Sequence, residues 1–194
     1  MNPFARVVIS FVVVFIMSAV NSYATPKFVS VKGCTCHQSE IADWERSKHA
    51  RAFELLEPGK RISAKKKAGL NPDQDYTKNT VCQKCHTTGY KEEGGFQDLT
   101  STPNMTGIQC EVCHGAGSEF RNLHKEKTTK FTREEAKALG QTFGSLDASV
   151  CKKCHEHKDT PFQPEIDQKY KFNHQEALKN DRAFHKLYPL EGKH

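Results

Sequence analysis

Four pairs of closely spaced cysteines, each followed directly by a histidine, constrain this chain more than any other feature. The pairs account for all eight cysteines of the 194 residues, and four of the ten histidines follow them. The four motifs are Cys34/Cys36 with His37, Cys82/Cys85 with His86, Cys110/Cys113 with His114, and Cys151/Cys154 with His155. Because no cysteine is left over, one kind of chemistry can account for all of them.

Three of the motifs have the form C-x-x-C-H, which is the attachment motif of c-type haem. The two thiols bond to the two vinyl groups on one edge of the porphyrin, and the adjacent imidazole becomes the proximal iron ligand. A zinc site gives no reason for a histidine after every pair. Disulfides within C-x-x-C close almost no loop, and a thioredoxin-like enzyme carries one such motif, not four. We therefore predict haem c at these motifs, with His86, His114 and His155 as proximal ligands.

The first motif is irregular, because Gly33-Cys34-Thr35-Cys36-His37 has one residue fewer between its thiols. The rigid porphyrin fixes the separation of the vinyl groups, so the shorter spacing either strains the attachment or leaves one thiol unattached. We expect Cys36 to bond a fourth haem and His37 to ligate it, with Cys34 either attached under strain or free. The alternative is that this motif has lost its haem.

Four porphyrins would also explain a shortage of apolar side chains. Hydrophobic residues make up 36% of the chain, and 17 of them lie in Met1–Ala24, which leaves 53 in the other 170 residues. An ordinary globular domain is about 45–50% apolar when glycine is counted. Bound haem supplies the missing apolar volume. We therefore predict one mainly α domain over 25–194, a haem-wrapped multihaem cytochrome c fold with long loops and little or no sheet.

The N-terminal segment has the pattern of a secretory signal peptide. Met1–Arg6 carries one charge, Val7–Val20 is an apolar run, and small residues precede Ala24. An uncleaved membrane anchor is the alternative, but the run is short for a span of about 20 residues. The sequence therefore predicts a signal peptide over 1–24 and a mature domain in the periplasm.

Histidines outside the motifs are candidates for the sixth, distal iron ligands. A helical pattern from Ser39 onward places His49 on one face with Ala52, Phe53 and Leu56. A second helix, from the N-cap Asn173 to Pro189, aligns His185 with apolar positions. His124 follows a turn at Gly115-Ala116-Gly117. We predict these three histidines as distal ligands and His157 and His194 as surface residues, and leave His174 open.

A third helix, from about Arg133 to Leu139, carries no ligand. Thr132 and Glu135 form a capping box at its start, and Gly140 is a stop signal.

Several segments together resemble the tetrahaem cytochrome c-554 family, known from ammonia-oxidising bacteria. They are Cys110–His124, Thr160–Asp167, Trp44–His49 and Phe184–Leu187. The resemblance runs from about Lys32 to Gly192. It implies a largely helical electron-transfer protein whose haems stack in close pairs and which accepts electrons from hydroxylamine oxidoreductase.

The resemblance also implies a ligand set. His124 would be the distal ligand of the first haem, His185 of the third and His49 of the fourth. The haem on His86 would match the family's five-coordinate second haem, with Phe162 of the loop Thr160-Pro161-Phe162 near its open face. The chain departs from the family in its first motif and at Ala116, where the family has proline. The extra residues His157 and His174 leave open that one of them caps the second iron.

Two classes of function remain at this point. The first is an electron carrier between a donor oxidoreductase and a membrane or soluble cytochrome acceptor. The second is a reductase of nitric oxide or nitrite at the His86 haem, and assembly as a transient dimer or a conducting filament also stays open. We find no paired carboxylates or other constellation to protonate a substrate, which favours a carrier over an enzyme.

The formal charge of +6 does not predict a nucleic-acid partner. A signal peptide argues against one, and the run Lys65-Lys66-Lys67 lacks interleaved aromatic residues. We predict a solvated helix face for this run.

Overall fold

Short helices joined by long loops make up the part of the chain that the structure, a computed structural model, describes: residues 24–125, 130–180 and 184–186. The α-helices are α1 (Gln38–Glu45), α2 (Ile62–Lys67), α3 (Thr80–His86), α4 (Cys110–His114), α5 (Arg133–Ala138), α6 (Ala148–His155) and α7 (His174–Leu178). The 3-10 helices are Val31–Cys34, Phe53–Leu56, Pro103–Met105, Phe120–His124 and Gln168–Tyr170. These ranges contain no strand, and one isolated bridge joins Thr87 to Thr106. The predicted mainly α fold with little or no sheet is confirmed.

The predicted signal peptide lies outside the described residues, apart from Ala24. None of the helices in the described ranges is long and apolar enough to cross a membrane.

Polar side chains set the starts of the helices that carry two of the cysteine motifs. Before α3, the Asn79 Oδ1 accepts hydrogen bonds from the backbone N–H groups of Val81 and Cys82, at 3.0 and 3.1 Å. Before α6, the Asp147 Oδ1 accepts from the N–H of Ser149 at 2.9 Å. These caps satisfy donors that a helix cannot pair internally. The motif helices therefore begin where local sequence dictates.

The capping box predicted for α5 is confirmed. The Thr132 Oγ1 accepts from the Glu135 N–H at 3.1 Å, and the Glu135 carboxylate accepts from the Thr132 N–H at 2.6 Å. The predicted stop is also confirmed, because Gly140 follows the helix with φ +93°, in the region that favours glycine.

The predicted helix from Ser39 through Leu56 is wrong in its middle part. Helix α1 ends at Glu45, and the chain turns before it resumes as the 3-10 helix Phe53–Leu56. Ser47, which is only 1% exposed, accepts a hydrogen bond at its Oγ from the Ala50 N–H. A serine hydroxyl bonded to nearby backbone competes with helix formation. His49 therefore lies on a turn, while Ala52 and Leu56 are buried as expected.

The helix predicted from Asn173 to Pro189 is also too long. Asn173 does cap α7, since its Oδ1 accepts from the Glu176 N–H at 3.2 Å, but the helix ends at Leu178. Phe184–Lys186 is not helical, and the neighbouring residues 181–183 and 187–189 lie outside the described ranges. Lys179-Asn180-Asp181 includes two residues of low helix propensity, which accounts for the early end.

The best-buried large apolar side chains, Phe96 and Met105, lie in the loop between α3 and α4. Phe96 and Met105 are almost completely buried, and Thr88 in the same loop is fully buried. Thr88 donates its N–H to the Met105 carbonyl and its hydroxyl to the Gly107 carbonyl, at 2.9 and 2.8 Å. Buried side chains and these hydrogen bonds hold the loop that connects the second and third motifs.

Candidate haem sites

The four cysteine motifs lie next to one another in a row. Helix α3 packs against α6, α6 packs against α4, and α4 packs against the 3-10 helix Val31–Cys34. The order in space is therefore the second, fourth, third and first motif. The packing places thiols of neighbouring motifs beside each other, Cys85 beside Cys154 and Cys34 beside Cys110. Four motifs scattered over the sequence thus form one continuous site.

Each regular motif ends an α-helix at its histidine, in α3, α4 and α6. Residues three apart lie on the same face of a helix, so both thiols of each regular motif share one side. The irregular motif differs, because its first cysteine ends a 3-10 helix and His37 precedes α1.

The second motif has an imidazole whose orientation is set by the backbone. The His86 Nδ1 donates to the carbonyl of Ala52 at 2.6 Å, which leaves Nε2 as the nitrogen that can bond iron. Burial lowers the pKa of His86, so the ring is held neutral, as a metal ligand requires.

A cavity of about 240 Å³ adjoins this motif. Cys82, Cys85 and His86 line it together with the loop Thr160–Phe162. The structure thus brings Phe162 to the second motif, and Tyr170 packs edge-on against Phe162 with ring centroids 5.4 Å apart. Two thiols and an imidazole on the wall of one apolar cavity are what a covalently attached haem needs.

The sequence did not predict that Lys65 and His157 line this cavity. Lys65 is only 3% exposed, and its Nζ donates to the Glu57 carbonyl at 2.7 Å and lies 5.2 Å from the Tyr76 ring centroid. The predicted solvated face therefore holds for Lys66 and Lys67 but is wrong for Lys65. His157, predicted as a surface residue, also lines the cavity.

The third motif faces a histidine from the C-terminal segment. The rings of His114 and His185 have centroids 6.2 Å apart and planes 14° apart. A metal–imidazole bond is about 2 Å long, so two imidazoles on opposite sides of one metal ion have ring centroids about 6 Å apart. Burial, with smaller contributions from His185 and His37, lowers the pKa of His114 to about 4. The His185 Nδ1 donates to the Lys186 carbonyl.

The fourth motif has a corresponding pair. His155 and His49 have ring centroids 6.1 Å apart, with planes at 73°, and Phe172 stacks on His155 at 4.6 Å. Burial lowers the pKa of His155. This spacing also matches two ligands of one metal ion.

His49 is positioned by the loop that precedes α4. The Ile108 N–H donates to the His49 carbonyl at 3.0 Å, and the Trp44 indole N–H donates to the Ile108 carbonyl at 2.7 Å. Gly107 has φ +74°, and a Cβ there would lie 2.5 Å from the Ala50 carbonyl oxygen. Only glycine allows this close approach, so the turn that carries His49 depends on contacts distant in sequence.

The first motif is less enclosed. The His37 ring is half-exposed, with its Nδ1 3.9 Å from the Glu40 carboxylate. His124 ends the 3-10 helix Phe120–His124, but its side chain lies outside what the structure describes. The predicted distal ligand of the first haem is therefore not located.

The remaining histidines have other partners. The His174 Nε2 donates to the Gly144 carbonyl at 2.8 Å, so this nitrogen is occupied by a hydrogen bond. The His157 Nδ1 accepts from the Asp159 N–H at 3.1 Å, which places the ring proton of a neutral His157 on Nε2. With this tautomer, the Nε2–H of His157 is a hydrogen-bond donor. His194 lies outside the described residues.

Glu111, inside the third motif, is a structural residue that sequence reasoning missed. It is only 2% exposed, and its carboxylate accepts from the N–H groups of Ser30 and Gly117, both at 2.8 Å. Burial raises its pKa. An acidic residue between Cys110 and Cys113 was the available signal, but its partner Ser30 lies 81 residues away in sequence.

Comparison with known proteins agrees with this geometry. Residues 33–115 match the family described as cytochrome c554 and c-prime. Cytochrome c-554 of Nitrosomonas europaea is 36% identical over 188 residues, covering 87% of this chain and 79% of that protein. The solved structure of the reduced state of cytochrome c554 from N. europaea superimposes with a TM-score of 0.77, at 36% identity, over 87% of this chain and 89% of that one. The chain therefore belongs to the cytochrome c-554 family, and it is a multihaem c-type cytochrome that carries electrons on haem c.

Proposed function

We propose that this protein is a periplasmic tetrahaem carrier that takes electrons from one redox protein and delivers them to another. The observation that supports this most is the row of four motifs, in the order second, fourth, third and first. Bound haem supplies an iron that changes between the ferric and ferrous states. The chain fixes where these irons lie and what surrounds them.

The proposed attachment and ligand residues follow from the motifs. Thioether bonds come from Cys36, Cys82, Cys85, Cys110, Cys113, Cys151 and Cys154. Proximal ligands are His37, His86, His114 and His155. Distal ligands are His124, His185 and His49 on the first, third and fourth irons.

The opposed imidazole pairs support a carrier rather than an enzyme. His114 and His185 would hold one iron from both sides, as would His155 and His49, and these pairs would leave no open position for a substrate at either iron. Such an iron changes oxidation state with little rearrangement, and its axial ligands and burial set its potential.

The partners and the compartment are part of the proposal. The pattern of residues 1–24 supports export, after which the mature domain works in the periplasm. The resemblance of the sequence to the tetrahaem cytochrome c-554 family supports a donor of the hydroxylamine oxidoreductase type. The proposed acceptor is a cytochrome, either membrane-bound or soluble.

Anaerobic reductive titration of the mature protein tests the carrier function. We expect the absorption spectrum to show reversible uptake of four electrons per chain, with full reoxidation by a soluble cytochrome acceptor. Uptake of three electrons or fewer, or irreversible reduction, would contradict the proposal.

One observation favours a second candidate, a small-molecule reductase at the second site. The cavity beside His86 contains His157 and Asp159, and His157 has a ring proton to donate. Addition of nitric oxide to the reduced protein separates the two functions. Spectral change without repeated consumption of nitric oxide supports the carrier, whereas sustained consumption with electron supply supports the reductase.

A further inference from the structure

We propose that the first haem is attached by a single thioether, from Cys36, and that Cys34 remains a free thiol packed against the third motif. This inference rests on the proposed haem at His37. It predicts that one of the four haems keeps an unreacted vinyl group.

The local backbone points the two thiols of the first motif in different directions. Val31–Cys34 is a 3-10 helix, Thr35 has helical dihedrals, and the His37 N–H donates to the Cys34 carbonyl at 3.0 Å. Successive residues of a 3-10 turn rotate by about 120°, so residues two apart differ by about 240°. In the regular motifs the cysteines are three apart and share a face. Cys34 and Cys36 therefore cannot both face one edge of the same porphyrin.

The surroundings of the two thiols agree with this. Cys36 is exposed, whereas Cys34 is half-buried and ends the 3-10 helix that packs against α4 of the third motif. Cys34 thus faces the third motif.

No space remains for a cysteine side chain at the position where a regular motif would have its first cysteine. Regular spacing from Cys36 would put the first cysteine at position 33, which is Gly33. A Cβ there would lie 2.4 Å from the Val29 Cγ2 and 3.0 Å from the Arg121 Nη1. The backbone at Gly33 has packed into the space that a cysteine side chain would need.

Residues that flank Cys110 hold this arrangement. The Glu111 carboxylate accepts from the N–H groups of Val29 and Ser30, at 2.9 and 2.8 Å. The Gln109 Oε1 accepts from the Val31 N–H at 2.8 Å. These bonds fix the segment before Cys34 on the third motif, so turning Cys34 toward the side of Cys36 would break buried hydrogen bonds.

The chemistry balances without an oxidant. Forming a thioether adds the thiol across the vinyl double bond, with sulfur bonding to the inner carbon and the thiol hydrogen going to the outer carbon. One such addition at Cys36 consumes one vinyl and one thiol. The second vinyl and the Cys34 thiol both remain.

Alkylation of the denatured holoprotein tests the inference. The mature protein is unfolded anaerobically without reductant, treated with iodoacetamide and weighed intact, and its peptides are then mapped. We expect four haems and one carbamidomethyl group, on Cys34, with the first haem bound to the same peptide through Cys36. Cys34→Ala is expected to keep four haems and take up no label, and Cys36→Ala to lose the first haem.

Three results would overturn the inference, and each would have a different interpretation. Four haems and no label in the wild type would mean that Cys34 is bonded to haem. Label that appears only after reduction would mean a disulfide from Cys34. Three haems with label on both Cys34 and Cys36 would instead refute the first haem site of the proposed function.

A restored motif provides a second readout. In Gly33→Cys combined with Cys34→Ser and Val29→Ala, the spacing is regular and the crowding at position 33 is relieved. An unreacted vinyl extends the conjugation of the porphyrin, so one quarter of the denatured haem absorbs at longer wavelength in the wild type. We expect that component to persist in Cys34→Ala and to disappear in the restored variant. Its absence from the wild type would overturn the inference.

Discussion

His114 and His185 face each other with ring centroids 6.2 Å apart and nearly parallel planes. One histidine closes a C-x-x-C-H helix, and the other comes from a non-helical segment near the C-terminus. The spacing leaves room for one metal ion bonded to both rings, which supports our proposal that the C-terminal segment supplies a ligand to the third site.

Replacing His185 by alanine is expected to remove a strong axial ligand from the third iron. The ferric iron should then change from low spin to high spin, because a weaker ligand such as water takes the position. Paramagnetic resonance of the oxidised protein measures this. His174→Ala is the control, since His174 bonds the Gly144 carbonyl, and it should leave the spectrum unchanged. An unaltered low-spin signal in His185→Ala would contradict the assignment.

Lys65→Met is expected to lower the reduction potential at the second site. Lys65 is a buried cation on the wall that also holds Cys82 and His86, and a nearby positive charge favours the ferrous state. Two charges about 10 Å apart interact by about 1–2 kcal/mol at an effective dielectric constant of 20, so the shift should be on the order of tens of millivolts. Spectroelectrochemical titration measures it. Lys66→Met, at an exposed neighbouring position, should shift the potential much less, and equal shifts would argue against a role for burial.

Asp167→Asn is expected to lower thermal stability at neutral pH and to have less effect in acid. Hydrogen bonds from Lys169 and Lys67 hold the pKa of the Asp167 carboxyl well below its usual value. A carboxyl whose pKa is depressed in the folded state stabilises the fold above its unfolded pKa of about 3.9, and this stabilisation is lost as pH falls through the folded pKa. Melting temperatures of both proteins between pH 7 and pH 2 should therefore converge. Exposed Asp73→Asn serves as the control, and a constant difference over this range would contradict the linkage.

Gly115→Ala is expected to destabilise the turn after the third motif. Gly115 has φ +85°, and a Cβ there would lie 2.0 Å from the Gly140 carbonyl oxygen. Strained backbone of this kind costs about 1–3 kcal/mol for a residue with a side chain, and the clash adds to it. Gly59→Ala is the matched control, because Gly59 has φ +72° with nothing near its Cβ position. Thermal unfolding of the holoprotein should show the larger loss for Gly115→Ala, and equal losses would mean that the contact with Gly140 is unimportant.

The parts of the molecule that sequence predicted well are those with local causes. The regular motifs combine cysteine spacing with an adjacent histidine, and the capping box of Thr132 and Glu135 lies within four residues. Both could be predicted because every partner is close in sequence. The pairing of His49 and His185 with particular motif histidines came only from the family resemblance, whereas apolar patterning marked the two residues as ligand candidates.

The parts that could not be predicted depend on distant contacts. The turn that carries His49 requires Ser47 to be buried and Gly107 to pass against Ala50. Lys65 is buried because a carbonyl from Glu57 and the Tyr76 ring enclose it. Glu111 bonds backbone groups at Val29 and Ser30 that only the fold brings near. No local pattern in the sequence reports such pairings.

Intact mass of the mature protein is the most direct test of the central claim that four haems are covalently held by one exported domain. The account predicts a single species with the mass of residues 25–194 plus four haems. A species carrying three haems, or one that loses a haem on acid extraction, would contradict it.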